Sequence, residues 1–148
     1  MSINTIEFKN FKSFSETKVD LKKFNILIGT NASGKSNFLS LFRFLRDTVA
    51  QGMENAISMQ GGIEYLRNIN MGSEKDFSVK IHSKPNYEYY SIKQMRGKSL
   101  VVKITESSYE LRIGYFKTKL GYNIVKDELY RKFVLFYDTT CISLWFMY

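Results

Sequence analysis

Cysteine, proline, histidine and tryptophan are almost absent from this sequence, since each occurs once in 148 residues. The single cysteine, Cys141, cannot form an internal disulfide, which excludes the disulfide framework of small secreted proteins and fits a reducing compartment. One proline, together with 44% hydrophobic and 16% aromatic residues, excludes a chain that is mainly disordered. We therefore expect a folded protein with extended secondary structure.

The sequence also lacks a long apolar run at either end. Charged side chains interrupt the N-terminal segment and exclude a signal peptide. They are Glu7, Lys9, Lys12, Glu16 and Lys18. The apolar tail from Cys141 to Tyr148 is far too short to span a bilayer. We expect a cytoplasmic protein with no membrane partner.

The net charge of +8 is compatible with a polyanionic partner, because Lys and Arg release counterions when they bind phosphates. The charge is nevertheless spread along the whole chain. Residues 1–50 carry eight basic and four acidic side chains, residues 51–100 seven and five, and residues 101–148 again seven and five. No DNA-binding motif accompanies them. A solvated basic surface is thus favoured over a nucleic-acid footprint.

The first third of the chain has the pattern of a layered α/β sheet. Ile3–Phe8 and Glu16–Leu21 resemble the strands of an edge hairpin, and residues 10–15 form its turn. Phe24–Ile28 is a continuous apolar run of the kind found in strands buried on both faces. A glycine-rich turn begins where this run ends.

A helical period starts at Lys35 and is predicted to stop near Gly52. Its apolar face consists of Phe38, Leu41, Phe42, Leu45 and Val49. Residues 51–75 form a connecting excursion, in which Met53–Met59 is a possible short helix.

Residues 76–118 alternate between apolar and polar side chains and predict an antiparallel meander of about four strands. The predicted strands are Phe77–Ile81, Tyr87–Ile92, Leu100–Ile104 and Tyr109–Tyr115. Turns are expected at Pro85, Asn86, Gly97 and Glu106–Ser108. In residues 119–148 we expect a short helix over Lys126–Lys132 and a final strand over Phe133–Tyr137.

One segment carries recognisable chemistry, and it matches the pattern G-x-x-x-x-G-K-[ST] without a mismatch. It reads Gly29, Thr30, Asn31, Ala32, Ser33, Gly34, Lys35 and Ser36. An apolar run precedes it and a helical pattern follows it, which is the context that a phosphate-binding P-loop requires. The two glycines let the backbone approach phosphates closely, and the amides between them point at an anion.

The last two residues of the motif supply charge and metal chemistry. The ammonium of Lys35 is expected on the β- and γ-phosphates, and the hydroxyl of Ser36 is expected to ligate Mg²⁺. The positive end of the helix that begins here favours the same anion. The sequence therefore predicts binding of a nucleoside triphosphate, most simply ATP with Mg²⁺.

The order NFKSF, FNILIGTNASGKSNFL and FRFLRD resembles the N-terminal part of the AAA-type ATPases related to the RecF, SMC and OLD families, which share an ABC-like head. The resemblance covers residues 3–50 and, more weakly, Gln60–Gly62 and the meander. It implies that Lys12 and Ser13 lie near the ribose or phosphates, that the backbone of Asn31 faces the phosphates, and that Asn37 follows the magnesium serine. An exposed turn lysine and an ordinary helix-start asparagine are the alternatives for Lys12 and Asn37.

Hydrolysis in that family needs an apolar strand that ends in Asp-Glu. The sole candidate, Phe133–Asp138, is followed by Thr139, so we interpret Asp138 as an ordinary turn residue. The LSGG-like helix start and the switch histidine are also missing from the pattern, and His82 is interpreted as a surface residue of a strand. Gln60 is a candidate for the glutamine that senses Mg²⁺ in ABC-like heads. No catalytic residue is assigned.

The predicted fold is thus α/β: one partial P-loop ATPase domain over residues 1–148, the N-terminal lobe of an ABC-like ATPase head with an antiparallel β-meander. The apolar tail Thr139–Tyr148 is expected to reflect truncation. The resemblance implies an ATP-binding protein that forms a homodimer through the complete head and acts with DNA or a nuclease effector in DNA repair or phage defence. A non-catalytic nucleotide-binding or interaction module and a non-functional fragment are the alternatives. A small P-loop kinase is disfavoured, because an Arg-rich lid is not evident.

Overall fold

The structure is a computed structural model that describes residues 3–71, 75–84, 88–95, 98–116, 121–137 and 140–147. These residues form seven β-strands and two α-helices, with two short 3-10 turns at Ile63–Tyr65 and Ile69–Met71. The strands are β1 (Ile3–Phe11), β2 (Phe14–Asp20), β3 (Phe77–Ser83), β4 (Glu88–Met95), β5 (Lys98–Tyr115), β6 (Tyr122–Tyr137) and β7 (Thr140–Met147). The helices are α1 (Lys35–Gln51) and α2 (Met53–Met59).

All the strands belong to one sheet, in the order β2-β1-β3-β5-β6-β7, and β4 pairs with β5. Every strand pair in the described part of the chain is antiparallel. The long strand β5 serves two partners along one edge, because β4 pairs with residues 98–104 and β3 with residues 107–113. The sheet is therefore broad near β1 and continues into an extension built from β4, β5, β6 and β7.

The two faces of the sheet differ because side chains alternate along each strand. Ile6 and Phe8 of β1 face the helices and are buried, whereas Glu7 and Lys9, which alternate with them, lie on the other face. That second face carries ion pairs across neighbouring strands. They join Lys9 to Glu16, Lys18 to Glu7 and Lys126 to Glu110, and Lys126 also pairs with Glu128 of its own strand.

The hydrophobic core lies between the first face and the two helices. Its largest side chains are aromatic: Phe8, Phe11, Phe44 and Phe77 are at most 1% exposed. Phe44 of α1 meets Phe77 of β3 edge-on, with ring centroids 5.8 Å apart. Such pairs add about 0.5–1.5 kcal/mol to the free energy of burial. This packing fixes α1, and with it the end of the glycine-rich loop, on the sheet.

The helical prediction is largely confirmed. Helix α1 begins at Lys35 and ends at Gln51 before Gly52, and α2 covers Met53–Met59 as expected. Phe38 and Leu41 are buried, but Val49 is 89% exposed, so its assignment to the core face is wrong. Phe44 takes the buried position instead, because Phe77 lies against that side of the helix.

The prediction of a buried strand over Phe24–Ile28 is wrong in this structure. These residues form no strand, and Ile26 and Ile28 are 71% and 89% exposed. A strand is stable only when a neighbouring strand takes up its backbone hydrogen bonds. Within the described residues no strand lies beside this run.

Two predictions in the second half of the chain are also wrong. The turn expected at Glu106–Ser108 lies inside β5, which joins two predicted strands into one. The helix expected over Lys126–Lys132 is part of β6, and the strand predicted over Phe133–Tyr137 is the end of that same strand. Long-range pairing overrides the local helix preference here, because residues of β6 pair with β5 from Tyr122 to Tyr137.

The expected antiparallel pairing is confirmed, but residues 76–118 contain three strands rather than about four, and β3 and β4 both pair with β5 instead of with each other. The layered α/β sheet expected around Phe24–Ile28 is not observed among the described residues. The predicted turn residues Pro85, Asn86 and Gly97 lie outside the described residues, as do Asp138 and Thr139. None of the described helices has the length and apolar character needed to cross a bilayer.

Candidate nucleotide-binding site

The glycine-rich loop connects an extended segment to α1. Its backbone takes left-handed conformations at Ala32, with φ 64°, and at Gly34, with φ 93°. Gly34 also has no room for a side chain, because a Cβ there would lie 3.0 Å from the Phe14 ring and 3.3 Å from the Ser13 hydroxyl. A Cβ on Gly29 would lie 2.6 Å from Ser33 Oγ. At Gly34 both the left-handed backbone and the close approach of Phe14 favour glycine, whereas at Gly29 a side chain would displace the Ser33 hydroxyl.

Lys35 folds back over the loop that precedes it. Its ammonium donates hydrogen bonds to the carbonyl oxygens of Gly29 at 2.7 Å and Thr30 at 2.5 Å, and to Ser33 Oγ at 3.2 Å. The cation thus lies in the concave side of the loop and holds its two ends together. Phosphate oxygens are stronger acceptors for this cation than neutral carbonyls, because charge-assisted hydrogen bonds are about twice as strong.

A cavity of about 330 Å³ lies at the start of α1 and is lined by residues 31–37. Gly34 is the N-cap of this helix, and no side chain caps it in the described structure. The first backbone N–H groups of a helix have no intrahelical partners and carry the positive end of its dipole. The cavity therefore offers unpaired donors and the Lys35 ammonium to an anion. Ser36, in the first turn of α1, is exposed to solvent beside the same cavity.

A second cavity, of about 250 Å³, shares Ser33, Gly34 and Lys35 with the first. Its remaining lining is mostly apolar and comes from β2, α1 and the segment before the loop: Phe14, Thr17, Val19, Leu27, Ile28 and Phe38. An apolar surface thus adjoins the cationic cavity directly. A larger cavity of about 470 Å³ lies on the charged face of the sheet, where Glu7 and Glu110 face Lys9, Lys80 and Arg112.

The β1–β2 turn contacts the start of α1. Asn37 donates its side-chain N–H to Ser13 Oγ at 2.9 Å, and the Phe14 ring lies against Gly34. The turn itself needs a left-handed residue, which is Lys12 with φ 47°. The NFKSF turn is therefore a structural support of the glycine-rich loop, which the sequence pattern alone did not reveal.

The ammonium of Lys12 lies one helical turn behind the cavity. It donates hydrogen bonds to Ser40 Oγ at 2.7 Å and to Gln60 Oε1 at 3.0 Å, and Ser40 Oγ donates to the same Gln60 oxygen at 2.7 Å. Burial lowers the pKa of the Lys12 ammonium, since both partners are neutral. The structure thus brings Lys12 and Gln60 together, but it does not bring the Lys12 ammonium to the cavity lined by residues 31–37.

Ser40 is the residue that sequence analysis missed. It is 9% exposed on the buried side of α1 and lies four residues after Ser36, hence on the same helix face. A serine among Phe38, Leu41 and Phe44 breaks the apolar pattern, and that break was the available signal.

His82 lies in β3, opposite Ser108 and Thr5 in the neighbouring strands. In the described residues no group of three or more acidic, histidine or cysteine side chains could hold a metal ion.

Comparison with known proteins identifies the class to which this site belongs. A family model for the AAA ATPase domain matches residues 1–139, nearly the whole chain, and places it among the P-loop ATPases. The chain belongs to the AAA ATPase domain family, an ATP-binding family. The expected relation to the RecF, SMC and OLD ATPases is confirmed by this match and by the individual relatives.

Three relatives share short stretches of sequence with the chain. It is 40% identical over 47 residues to the endonuclease GajA of Bacillus cereus (strain VD045), which is 32% of this chain and 8% of GajA. It is 44% identical over 46 residues, 30% of this chain, to the DNA replication and repair protein RecF of Lactococcus lactis, of which 13% is covered. It is 33% identical over 79 residues, 53% of this chain, to 6% of the chromosome partition protein Smc of Methanocaldococcus jannaschii. The chain thus matches only a small part of each relative.

Proposed function

We propose that this chain binds Mg-ATP through residues 29–36, as the N-terminal lobe of an ATPase of the RecF and SMC type. The observation that carries the proposal is the position of the Lys35 ammonium, which lies inside the loop on the oxygens of Gly29, Thr30 and Ser33. This cation and the uncapped start of α1 face one cavity. Because both groups carry positive charge, they favour a polyphosphate over a neutral ligand of similar size.

Binding on this geometry is an exchange of hydrogen-bond partners. The β- and γ-phosphates take the place of the loop oxygens on Lys35, and the free amides at the start of α1 donate to them. The loop contributes backbone groups from Thr30, Asn31, Ala32 and Ser33. The small side chains of Ala32 and Ser33 leave space for the phosphates. Ser36 supplies one hydroxyl ligand to Mg²⁺, whose other ligands are phosphate oxygens and water.

The neighbouring apolar cavity supports a nucleotide rather than inorganic phosphate as the ligand. It shares Ser33, Gly34 and Lys35 with the phosphate cavity, so one molecule can occupy both. An apolar lining of Phe14, Val19 and Leu27 suits the flat face of a nucleobase. Asn37 lines the phosphate cavity. For Lys12 to bind the nucleotide as well, its ammonium would have to give up its hydrogen bond to Ser40.

We assign ATP binding, and not hydrolysis, to these 148 residues. The sequence has no Asp-Glu pair after an apolar strand, and general-base activation of water needs such a carboxylate. A function in DNA repair is proposed because one relative is a DNA replication and repair protein, and a nuclease partner because another is an endonuclease. Phage defence is proposed from the family resemblance alone. Head-to-head homodimerisation and a DNA or nuclease partner belong to the same proposal. A non-catalytic nucleotide-binding module is the second candidate, favoured by the missing acidic pair.

The proposal is tested by calorimetric titration with ATP and Mg²⁺. We expect saturable micromolar or weaker binding by the natural chain and at least a tenfold loss in Lys35→Ala. Lys23→Ala is the matched control, because Lys23 is an exposed lysine outside the loop. Equal binding by the natural chain and Lys35→Ala would overturn the site.

Turnover of ATP should stay at background, and robust Mg²⁺-dependent hydrolysis by this chain would contradict the assignment of binding alone. Competition with GTP and with phosphate tests the base and nucleoside contributions.

A further inference from the structure

A cavity of about 240 Å³ lies where β3 ends beside β5. The register places Ser83, the last residue of β3, opposite Ser107, and Glu88, the first residue of β4, opposite Ile104. Among the described strand pairs, residues 105–106 of β5 therefore have no partner in β3 or β4, and this gap adjoins the cavity. Besides Ser83 and Ser107, the cavity is lined by residues that belong to neither cavity at the glycine-rich loop: His82, Lys84, Glu106, Ser108 and Tyr130.

Ser107 is a buried polar residue in the wall of this cavity. Its side chain is 5% exposed, and its hydroxyl has no hydrogen-bond partner in the part of the chain that the structure describes. Buried polar groups in folded proteins almost always have a partner, so a hydroxyl that no protein group satisfies is a candidate for ligand binding. The cavity beside it is several times larger than the share of one water in the liquid, about 30 Å³.

Hydrogen-bond donors predominate around Ser107. His82, Ser108 and Tyr130 form one row across β3, β5 and β6, because Ser108 pairs with both of the others. Hydroxyl and imidazole groups donate hydrogen bonds, and the ammonium of Lys84 adds a positive charge. The backbone N–H of Lys84 donates to Asn4 Oδ1 at 2.6 Å, which fixes this residue at the end of β3. Such a set of donors suits the oxygens of a small anion.

We propose that this cavity binds inorganic phosphate, with Ser107, Ser108, His82 and Lys84 as donors to its oxygens. Among the described residues that line the cavity, Glu106 is the single carboxylate. At neutral pH phosphate still carries a proton that it can donate to a carboxylate, whereas sulfate carries none and is repelled. Several donors combined with one acceptor therefore favour phosphate over sulfate, although the two anions are alike in size and shape.

The test follows the ring signal of His82 by NMR at neutral pH, because His82 is the only histidine in the chain. Ionic strength is held constant with chloride. We expect phosphate to shift the signal saturably and sulfate to bind roughly tenfold more weakly, since hydrogen bonds to charged groups contribute about 1.5–3 kcal/mol. Lys35→Ala should give the same titration, because Lys35 does not line this cavity. Absence of a saturable shift, or an equal shift with chloride, would overturn the proposal.

Ser107→Ala separates binding of a ligand from a structural function of the hydroxyl. The hydroxyl has no partner within the described chain, so its removal should not lower the urea midpoint of the phosphate-free protein. The same variant should bind phosphate roughly tenfold more weakly. Equal phosphate binding by Ser107→Ala and the natural chain would contradict the site.

Two charge variants test how the anion is recognised. Lys84→Met should weaken binding of both anions, whereas Lys23→Met is the matched control, since Lys23 is an exposed lysine outside the cavity. Glu106→Gln should strengthen sulfate binding and remove the preference for phosphate, because an amide can donate to either anion. Equal effects of the two lysine variants, or an unchanged preference in Glu106→Gln, would refute the proposal. Because no nucleotide is present, these outcomes leave the proposed ATP site untouched.

Discussion

The ammonium of Lys12 donates a hydrogen bond to the hydroxyl of Ser40 at 2.7 Å, four residues along α1 from Ser36. Gln60, at the end of α2, accepts from both groups. The β1–β2 turn, the helix that carries Ser36 and the end of α2 are therefore joined by one polar cluster. Because Lys12 is partly buried and its partners are neutral, removal of either partner should lower the free energy of unfolding.

We first predict that Ser40→Ala destabilises the fold. The substitution removes one hydrogen bond from Lys12 and one from Gln60, which still bond to each other, and each lost hydrogen bond costs about 0.5–1.5 kcal/mol. Thermal or urea unfolding measures this loss. Ser58→Ala is the control, since Ser58 is exposed on α2, and it should change the free energy of unfolding by less than about 0.5 kcal/mol. Similar stabilities for the two variants would contradict the cluster.

Gly34→Ala should weaken both stability and nucleotide binding. The new Cβ would lie 3.0 Å from Phe14 and would have to accept a φ of 93°, and such strain costs about 1–3 kcal/mol. Gly52→Ala imposes a comparable backbone strain at φ 86°, but with nothing within 4 Å and far along the helix from the loop. Both variants should unfold more easily, whereas the titration with ATP should show weaker binding for Gly34→Ala alone. Normal binding by Gly34→Ala would show that the loop tolerates a displaced Phe14.

Two apolar positions on α1 should differ in their effect on stability, because one is buried and the other is exposed. Phe44→Ala removes a fully buried ring and should cost about 3–5 kcal/mol. Val49→Lys should be neutral within about 0.5 kcal/mol or slightly stabilising, because Val49 is 89% exposed and a cation near a helix carboxyl end is favourable. Chemical denaturation of both variants checks the prediction. A large loss in Val49→Lys would mean that this face of α1 is covered in solution.

The charged face of the sheet should contribute to acid sensitivity. A hydrogen bond from Lys126 is the main cause that holds the pKa of Glu110 below its usual value near 4.5. A carboxylate with a lowered pKa in the folded state contributes stability that is present above its unfolded pKa and is lost as the pH falls through its folded pKa. Glu110→Gln should therefore reduce the fall in unfolding free energy between about pH 6 and about pH 3, an interval that includes the usual pKa of a glutamate. Urea unfolding at several pH values in this interval measures the fall.

Lys126→Met provides the internal control for that experiment. It removes the main partner of Glu110 and should flatten the same acid limb, and the double variant should add little to either single change. Additive effects of the two substitutions would show that the pair does not interact.

The parts of the fold that local patterns determine were predictable from the sequence. The β1–β2 hairpin, α1 and α2 follow from alternation, helical period and Gly52, which act over a few residues. The merging of two predicted strands into β5 and the strand over Lys126–Lys132 were not predictable in this way, because they depend on pairing between β5 and β6. Local helix preference carries no information about such pairing.

The site shows the same division. The spacing of Gly29, Gly34, Lys35 and Ser36 fixed the motif, and the structure adds how it is supported. Two hydrogen bonds of this support join residues more than twenty positions apart in the sequence, Asn37 to Ser13 and Lys12 to Ser40. Local sequence patterns do not predict contacts of this kind. The exposure of Ile28 was predicted wrongly for a related reason: composition indicates that a residue can be buried, but not whether a neighbour is there to bury it.

Strand β5 gives the molecule a mechanical property as well as a shape. With about 3.4 Å per residue, its 18 residues span roughly 60 Å. Leu111 and Ile113, near one end, are buried in the core beneath the helices, whereas the other end pairs with β4 and lies beyond the reach of β3. Val102 and Ile104, in the half that pairs with β4, are also buried, and β6 pairs with β5 along both halves. A rotation of the core beneath α1 would therefore move β5 and β6 together, and the displacement would be larger at the β4 end than beneath the helices.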